Sequence, residues 1–354
     1  MHRSTVTRLV FSDDIGKRTR TGDWADQVIS TVTKIEELLA AGTAEEAADL
    51  IDYFMEEAEV CHNVYATWHP GFLEWLGQAG IESGDLDDQI ARITGLLVRP
   101  DGRSFDPFSC WAELRAEADD LTDAVRNGAL VGADAVRAVD DLREQWRQMH
   151  DRWVDLLSGL LALAADRFGE DALEPMYRHT LEPYIQDRYM VYDLSVNDYA
   201  DTLYRNLYTS IEAMRGHLVG PERRGDIDLE EHDDRWVLSF DPCGSGGRST
   251  RGDPVEGTGP RPEPPYSFGV TEKEHDWAWN EKGVCHYCAH CCFTLERLPA
   301  ERWGHPVRVV DSPLYPDETS GDDPKPCTWT IYKTIEAIPA EAYVRIGMTK
   351  PPAA

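Results

Sequence analysis

The chain has no long apolar segment. No run approaches the roughly 18 consecutive apolar residues that a membrane-spanning helix requires. Its start, Met1–Asp14, also lacks an apolar stretch followed by a small-residue cleavage site. We therefore expect a cytoplasmic protein without a membrane partner.

Positive charge is scarce as well, and most of the basic residues are arginines. Lys and Arg together number 35 against 65 Asp and Glu, which gives a formal net charge of −30. Nucleic acids and anionic membrane surfaces are polyanions, so this balance argues against either as the main partner. The charge leaves the oligomeric state open.

Cysteine, in contrast, is concentrated in one place. Four of the eight cysteines lie within eight positions of the segment Gly283-Val-Cys-His-Tyr-Cys-Ala-His-Cys-Cys-Phe293. In a reducing cytoplasm, clustered thiols are metal ligands or reactive groups more often than disulfides. The segment therefore predicts a metal site.

More candidate ligands are present than one ion needs. The predicted metal ligands are Cys243, Cys285, Cys288, Cys291, Cys327 and His290. A tetrahedral Zn²⁺ site takes four, and Cys288 and Cys291 with the remote Cys243 and Cys327 would complete one. Cys285, His286 or His290 could replace a member. Adjacent Cys291 and Cys292 point in different directions on an extended chain, so we expect one of them to bind.

An iron–sulfur cluster is the alternative to zinc. Cys285, Cys288 and Cys291, spaced three apart, with Cys327 further along, make a ferredoxin-like arrangement for a [4Fe-4S] cluster. The pattern departs from ferredoxins because Pro326 precedes the remote cysteine instead of following it. Zinc is the first interpretation, and reduced or redox-active thiols without metal are a third. Whether the metal is structural or catalytic stays open.

The first half is predicted to be a helical bundle over residues 23–220, preceded by a flexible arm over residues 1–22. Apolar residues recur at helical spacing. The predicted helices cover 23–41, 43 to an interruption at His69-Pro70, 85–98, 110–126, 133–168 and 196–217. A shift of 88 residues superposes His62 on His150 and Glu56 on Glu144, a pattern consistent with internal duplication of the bundle.

After Gly220-Pro221 the composition changes, and we expect a small metal-stabilised α+β domain over residues 221–354. The predicted strands are 235–240, 293–296, 307–310 and 328–332, and a short helix is predicted over 338–345. The apolar-poor stretch 244–265 reads as a long loop or lid. The fold class is thus α+β.

Three polar residues are candidates for catalysis: His62, His150 and Arg248. His62 belongs to a Glu-x-x-His pair, and two histidines on facing helices could act as acid and base. Arg248 follows a glycine run and could hold an anion. Histidines hydrogen-bonded inside a bundle, and a flexible turn that delivers Cys243, are the structural alternatives.

Together these features predict a cytoplasmic, metal-dependent enzyme that acts on a small molecule in a cavity between the helical and Cys-rich domains. The alternatives are a binding or assembly protein with a structural zinc, and an iron–sulfur redox protein. The substrate is not determined by the sequence.

Overall fold

The computed structural model describes residues 7–317 and 325–352, which form a mixed helical and antiparallel-sheet protein. The first half contains β1 (Leu9–Ser12), β2 (Lys17–Arg20), α1 (Trp24–Gln27), α2 (Thr31–Ala41), α3 (Ala44–Gln78), α4 (Ser83–Gly95), α5 (Pro107–Arg126), α6 (Gly132–Phe168), α7 (Leu173–Tyr189) and α8 (Tyr199–Gly216). The second half contains β3 (Asp228–Glu231), β4 (Arg235–Phe240), α9 (Gly246–Arg251), α10 (Ala289–Cys291), a π-helical segment (Cys292–Arg297), α11 (Leu298–Trp303), β5 (Val309–Asp311), β6 (Cys327–Tyr332) and α12 (Ala340–Val344). Among the described helices, none combines the length and hydropathy needed to cross a bilayer.

Part of the segment predicted as a flexible arm is an ordered hairpin, in which β1 pairs with β2. The Arg20 side chain is buried and donates hydrogen bonds to the carbonyl oxygens of Asp26 and Ile29, at 2.8 Å each. A charged side chain therefore ties the hairpin to the helices, and hydrophobic periodicity does not detect such an anchor. Residues 1–6 of the predicted arm lie outside the described residues.

The long helices α3 and α6 form the centre of the helical half, with 35 and 37 residues. Trp146 and Trp153 of α6 are fully buried. The predicted stop of α3 at Pro70 is wrong, since the helix continues to Gln78. Proline removes one amide donor from the helix, but Phe72 beyond it is buried. Tertiary packing thus carries the helix past the proline.

The other helices follow the predicted pattern with shifted ends. The predicted helix over 23–41 is divided into α1 and α2, because the Ser30 hydroxyl accepts a hydrogen bond from the Thr33 N–H and starts a new helix there. α7 includes Pro183 and was not predicted. The internal duplication and the two-domain division stay predictions.

The second half is built on a four-stranded antiparallel sheet with the order β3-β4-β6-β5. β4 has the predicted bounds, β6 begins one residue earlier than predicted, and β5 is displaced towards Asp311. The strand predicted over 293–296 is wrong, because this stretch is helical. Glu296 explains the difference: it is buried and paired with Arg345, a contact that only tertiary structure supplies.

The stretch 244–265 is a loop only in part: residues 244–250 are buried, whereas residues 252–265 form turns with several exposed residues. It begins with α9, and both Arg248 and Arg261 are fully buried. The two guanidinium groups bind the Asp155 carboxylate of α6, with closest distances of 2.7 and 3.0 Å. A segment poor in apolar side chains is therefore held in place by buried ion pairs.

Candidate metal centre and cavity

Cys243 and Cys327 meet at one end of the sheet. β4 ends at Phe240, which pairs with Cys327, the first residue of β6. Cys243 follows shortly after Phe240, and its thiol interacts with that of Cys327. The antiparallel register therefore brings together two cysteines that are distant in sequence.

Glycines after Cys243 let the backbone approach the sulfur atoms. The Gly247 N–H donates to Cys243 Sγ at 2.9 Å. A Cβ atom at Gly246 would lie 2.2 Å from Cys288 Sγ, so any side chain there would displace the sulfur. The glycine run thus joins the Cys243 turn to the Cys285–Cys292 segment.

Five cysteines line one cavity of about 100 Å³: Cys61 and the four predicted metal ligands Cys243, Cys288, Cys291 and Cys327. The rest of the wall comes from both halves of the chain. It includes Trp68, Tyr184, Arg188, Tyr189 and His217 of the helical half, and Trp279, Tyr287, His290, Arg308 and Trp329 of the second half. A small molecule in this cavity would contact thiols, aromatic rings and cationic groups together.

Among the described residues, two pairs of cysteine sulfurs are in contact: Cys243 with Cys327, and Cys285 with Cys288. Zn–S bonds of about 2.3 Å put the sulfurs of a tetrahedral site about 3.8 Å apart. Over residues 7–317 and 325–352, no three ligand atoms drawn from Cys and His lie within 4.8 Å of one another. The side chains would therefore have to turn to hold either a zinc ion or an iron–sulfur cluster.

Pairing and burial set the ionisation of the thiols. The contact with Cys327 lowers the pKa of Cys243 to about 6, and the contact with Cys288 lowers the pKa of Cys285. The same contacts, together with burial, raise the pKa of Cys288 and Cys327 well above the usual value. Burial also raises the pKa of Cys291. In the pair formed by Cys243 and Cys327, Cys243 thus has thiolate character.

Among the remaining predicted ligands, His290 lies in the cavity wall and Cys285 behind it. His290 Nε2 is 3.4 Å from Cys291 Sγ. Cys285 is buried and contacts Cys288, but it does not line the cavity. His290 could therefore approach a metal bound at Cys291, whereas Cys285 would have to turn inward.

Cys292 and His286 face other parts of the protein. Cys292 Sγ accepts a hydrogen bond from the Trp279 N–H at 3.3 Å. His286 packs against Gly269, where an added Cβ atom would lie 2.5 Å from Nδ1 of the histidine. Of the adjacent Cys291 and Cys292, only Cys291 lines the cavity.

A chain of hydrogen bonds leads from the cavity into the helical half. Tyr287 donates to Tyr65 at 3.2 Å, and the Tyr65 hydroxyl lies 3.1 Å from His150 Nε2 and from His217 Nδ1. His150 Nδ1 is 3.0 Å from Asp151 Oδ1. Because this carboxylate only accepts, His150 donates through Nδ1, and its Nε2 is free to accept. This series of hydrogen bonds therefore extends from the cavity wall to the buried Asp151 carboxylate.

Burial and the neighbouring charges set the protonation states of Asp151, His150 and His217. Burial by itself raises the pKa of Asp151, but Arg223 and Arg248 outweigh it and hold that pKa well below its usual value. Burial lowers the pKa of His150 despite the hydrogen bond that it donates to Asp151. Burial, with His150 nearby, also holds the pKa of His217 well below 6.5. Both imidazoles are therefore neutral at pH 7.

None of the three predicted catalytic residues lines the cavity. His62 is buried, stacks on Trp111 with ring centroids 4.4 Å apart, and accepts a hydrogen bond from Trp153 at 3.2 Å. His150 reaches the cavity only through Tyr65 and His217. Arg248 is enclosed by carboxylates. Their catalytic roles stay predictions.

Arg248 belongs to a buried ion-pair network between α6 and the 244–265 stretch. Asp151, Asp253 and Glu256 have carboxylate oxygens within 4.8 Å of one another. Arginines already occupy the space around these oxygens; the closest contacts include Arg147 to Asp151 at 2.8 Å, Arg223 to Asp151 at 2.7 Å and Arg261 to Glu256 at 2.8 Å. The cluster is compensated by protein cations, and the charge of Arg248 is itself compensated by the carboxylates of Asp155 and Glu256.

Sequence reasoning missed Tyr65, His217, Arg188 and Arg308, which lie at or beside the cavity. Cys61, Tyr65 and Trp68 recur at helical spacing on one face of α3, so their common orientation was available from the periodicity. His217 and the two arginines gave no such signal, since each stands alone in its segment.

The chain matches no family model, no curated protein and no solved structure at a significant level.

Proposed function

We propose that this protein is a cytoplasmic, metal-dependent enzyme whose metal centre is held by Cys243, Cys288, Cys291 and Cys327. The observation that carries the proposal is that these four cysteines, from three separate segments, surround one cavity. Metal binding by these cysteines requires reduced thiols, which a cytoplasmic location preserves. A small molecule entering the same cavity would lie beside the metal.

We propose an iron–sulfur cluster, in place of the single zinc ion that the sequence favoured, because four cysteines around one cavity can enclose a group larger than one ion. When bound, such a cluster would supply electron transfer. The residues of this chain would then transfer protons and determine which molecules fit the cavity. Tyr287 stands at the cavity wall, and Tyr65, His150 and Asp151 continue the hydrogen-bonded path behind it. We propose that this path exchanges protons with the bound molecule.

The test is a metal and sulfide analysis of protein purified without air, with an absorption spectrum. We expect brown protein that contains iron and acid-labile sulfide. Cys243→Ser and Cys327→Ser should lose most of the bound iron, because each removes one thiolate ligand. Cys110→Ser is the control, since Cys110 lies outside the cavity and contacts Arg99 at 3.2 Å.

Each outcome has a distinct meaning. Colourless protein with one zinc that depends on the same cysteines would replace the cluster by zinc and favour the structural alternative. Iron retained by both variants would contradict the proposed ligand set. Circular dichroism of each variant shows whether metal was lost from a folded chain.

A further inference from the structure

Arg308 carries a buried charge without a carboxylate partner. It is 4% exposed and lines the cavity. Its guanidinium group donates to neutral oxygens only: Asn206 Oδ1 at 2.9 Å, the Tyr189 hydroxyl at 3.0 Å and Thr209 Oγ1 at 3.4 Å. Within the described part of the chain, no carboxylate oxygen lies within 4.0 Å of it. A buried charge of this kind is costly unless something compensates it.

Arg188 is a second cation of the same cavity. It extends from α7, donates to the Tyr184 hydroxyl at 2.8 Å and lies 5.8 Å from the centre of that ring. No carboxylate of the described residues is within 4.0 Å of it either. In a chain with 65 acidic residues, the buried Arg308 without an acidic partner points to an anionic ligand, and the solvent-exposed Arg188 adds a second positive charge to the same cavity.

The aromatic side chains of the cavity indicate what the uncharged part of the ligand is. Trp68, Tyr184, Tyr189 and Trp329 line the cavity, and the Arg308 guanidinium lies 5.3 Å from the centre of the Trp329 ring. Aromatic walls favour a flat apolar group, and a guanidinium favours a carboxylate that it can bind through two hydrogen bonds. The site therefore has a charged part and an apolar part side by side.

We propose that the cavity binds a small, flat organic carboxylate whose charge is neutralised by Arg308 and Arg188. This inference rests on the proposed function, because the carboxylate would be the substrate held beside the metal centre. Benzoate is a suitable probe, and benzamide is its neutral counterpart of nearly the same shape.

The experiment is calorimetric titration of the anaerobically purified protein with benzoate and with benzamide. We expect benzoate to bind at least about tenfold more tightly, as a charge-assisted hydrogen bond predicts. Arg308→Gln and Arg188→Gln should each reduce this preference severalfold or more. Arg92→Gln is the matched control, because Arg92 also lacks a carboxylate within 4.0 Å but is exposed on α4, outside the cavity.

Three results would overturn the inference: equal affinity for the two probes, no binding of benzoate, or an unchanged preference in both cavity variants. If Arg308→Gln changes the metal content while the benzoate affinity is unchanged, Arg308 stabilises the charge of the thiolate ligands and does not bind a carboxylate. Should Arg308→Gln fail to fold, Arg188→Gln decides, since Arg188 is exposed and its removal leaves no buried gap. Metal content is measured in every sample. Protein that holds no metal but still binds benzoate more tightly than benzamide would contradict the proposed metal centre and would leave the carboxylate site supported.

Discussion

Arg248 and Arg308 are both buried guanidinium groups, but their surroundings differ in charge. Arg248 lies 2.7 Å from the Asp155 carboxylate and 3.2 Å from that of Glu256. Arg308 has only neutral acceptors and a place in the cavity wall. Removing one partner of a buried pair is costly, so Arg248 is needed by the fold, while Arg308 remains available to a ligand.

His62 gives a prediction for stability against pH. Burial lowers its pKa from 6.5 to about 4, and its Nδ1 accepts the Trp153 hydrogen bond, which a proton there would break. The unfolded chain therefore takes up this proton first, and the stabilising contribution, complete above about pH 6.5, is lost as the pH falls towards 4. We expect a loss of about 1 kcal/mol from this residue, after allowing for solvent screening.

The measurement is urea unfolding at several pH values between 7 and 4. In His62→Gln the free energy of unfolding should fall less steeply with decreasing pH than in the parent. His232→Gln, at a partly exposed histidine 3.4 Å from Glu230, controls for loss of a histidine. Parallel curves for parent and His62→Gln would contradict the prediction.

At the scale of the elements, close contact between α3 and α8 depends on Gly216. A Cβ atom at this position would lie 2.5 Å from the Glu57 carbonyl oxygen and 3.0 Å from Cys61 Sγ. The backbone oxygen cannot rotate away, so Gly216→Ala should separate the helices and destabilise the protein by about 1–3 kcal/mol. Chemical denaturation measures the change.

Gly77→Ala is the matched control for this substitution. Gly77 is also helical, but nothing lies within 4 Å of its added Cβ atom. Alanine there should stabilise the protein by up to about 1 kcal/mol, because glycine loses more backbone freedom on folding. A Gly216→Ala variant as stable as the parent would show that α3 and α8 are not held in this contact.

At the scale of the whole molecule, the net charge of −30 acts against compactness. The Debye length falls from about 30 Å at about 0.01 M salt to about 3 Å at about 1 M, so salt screens this repulsion. We expect the Tm to rise by several degrees between those sodium chloride concentrations. A sucrose solution of equal osmolality at low salt shows the effect of solvent exclusion without screening. A Tm that falls with salt would refute the expectation.

The sequence by itself determined the mixed fold class, the positions of most of the helices and the strand β4, because hydrophobic periodicity is a local property that packing rarely reverses. It also singled out the thiol-rich segment and the two distant cysteines, since their chemistry needs no neighbours to be recognised.

Only the tertiary structure decided which of these cysteines share a cavity, that the first part of the 244–265 stretch is buried, and that His217, Arg188 and Arg308 line the same cavity. Strand register placed Cys243 beside Cys327, and ion pairs between distant segments buried Arg248 and Arg261. These outcomes depend on contacts between residues far apart in sequence, and no local pattern encodes such contacts.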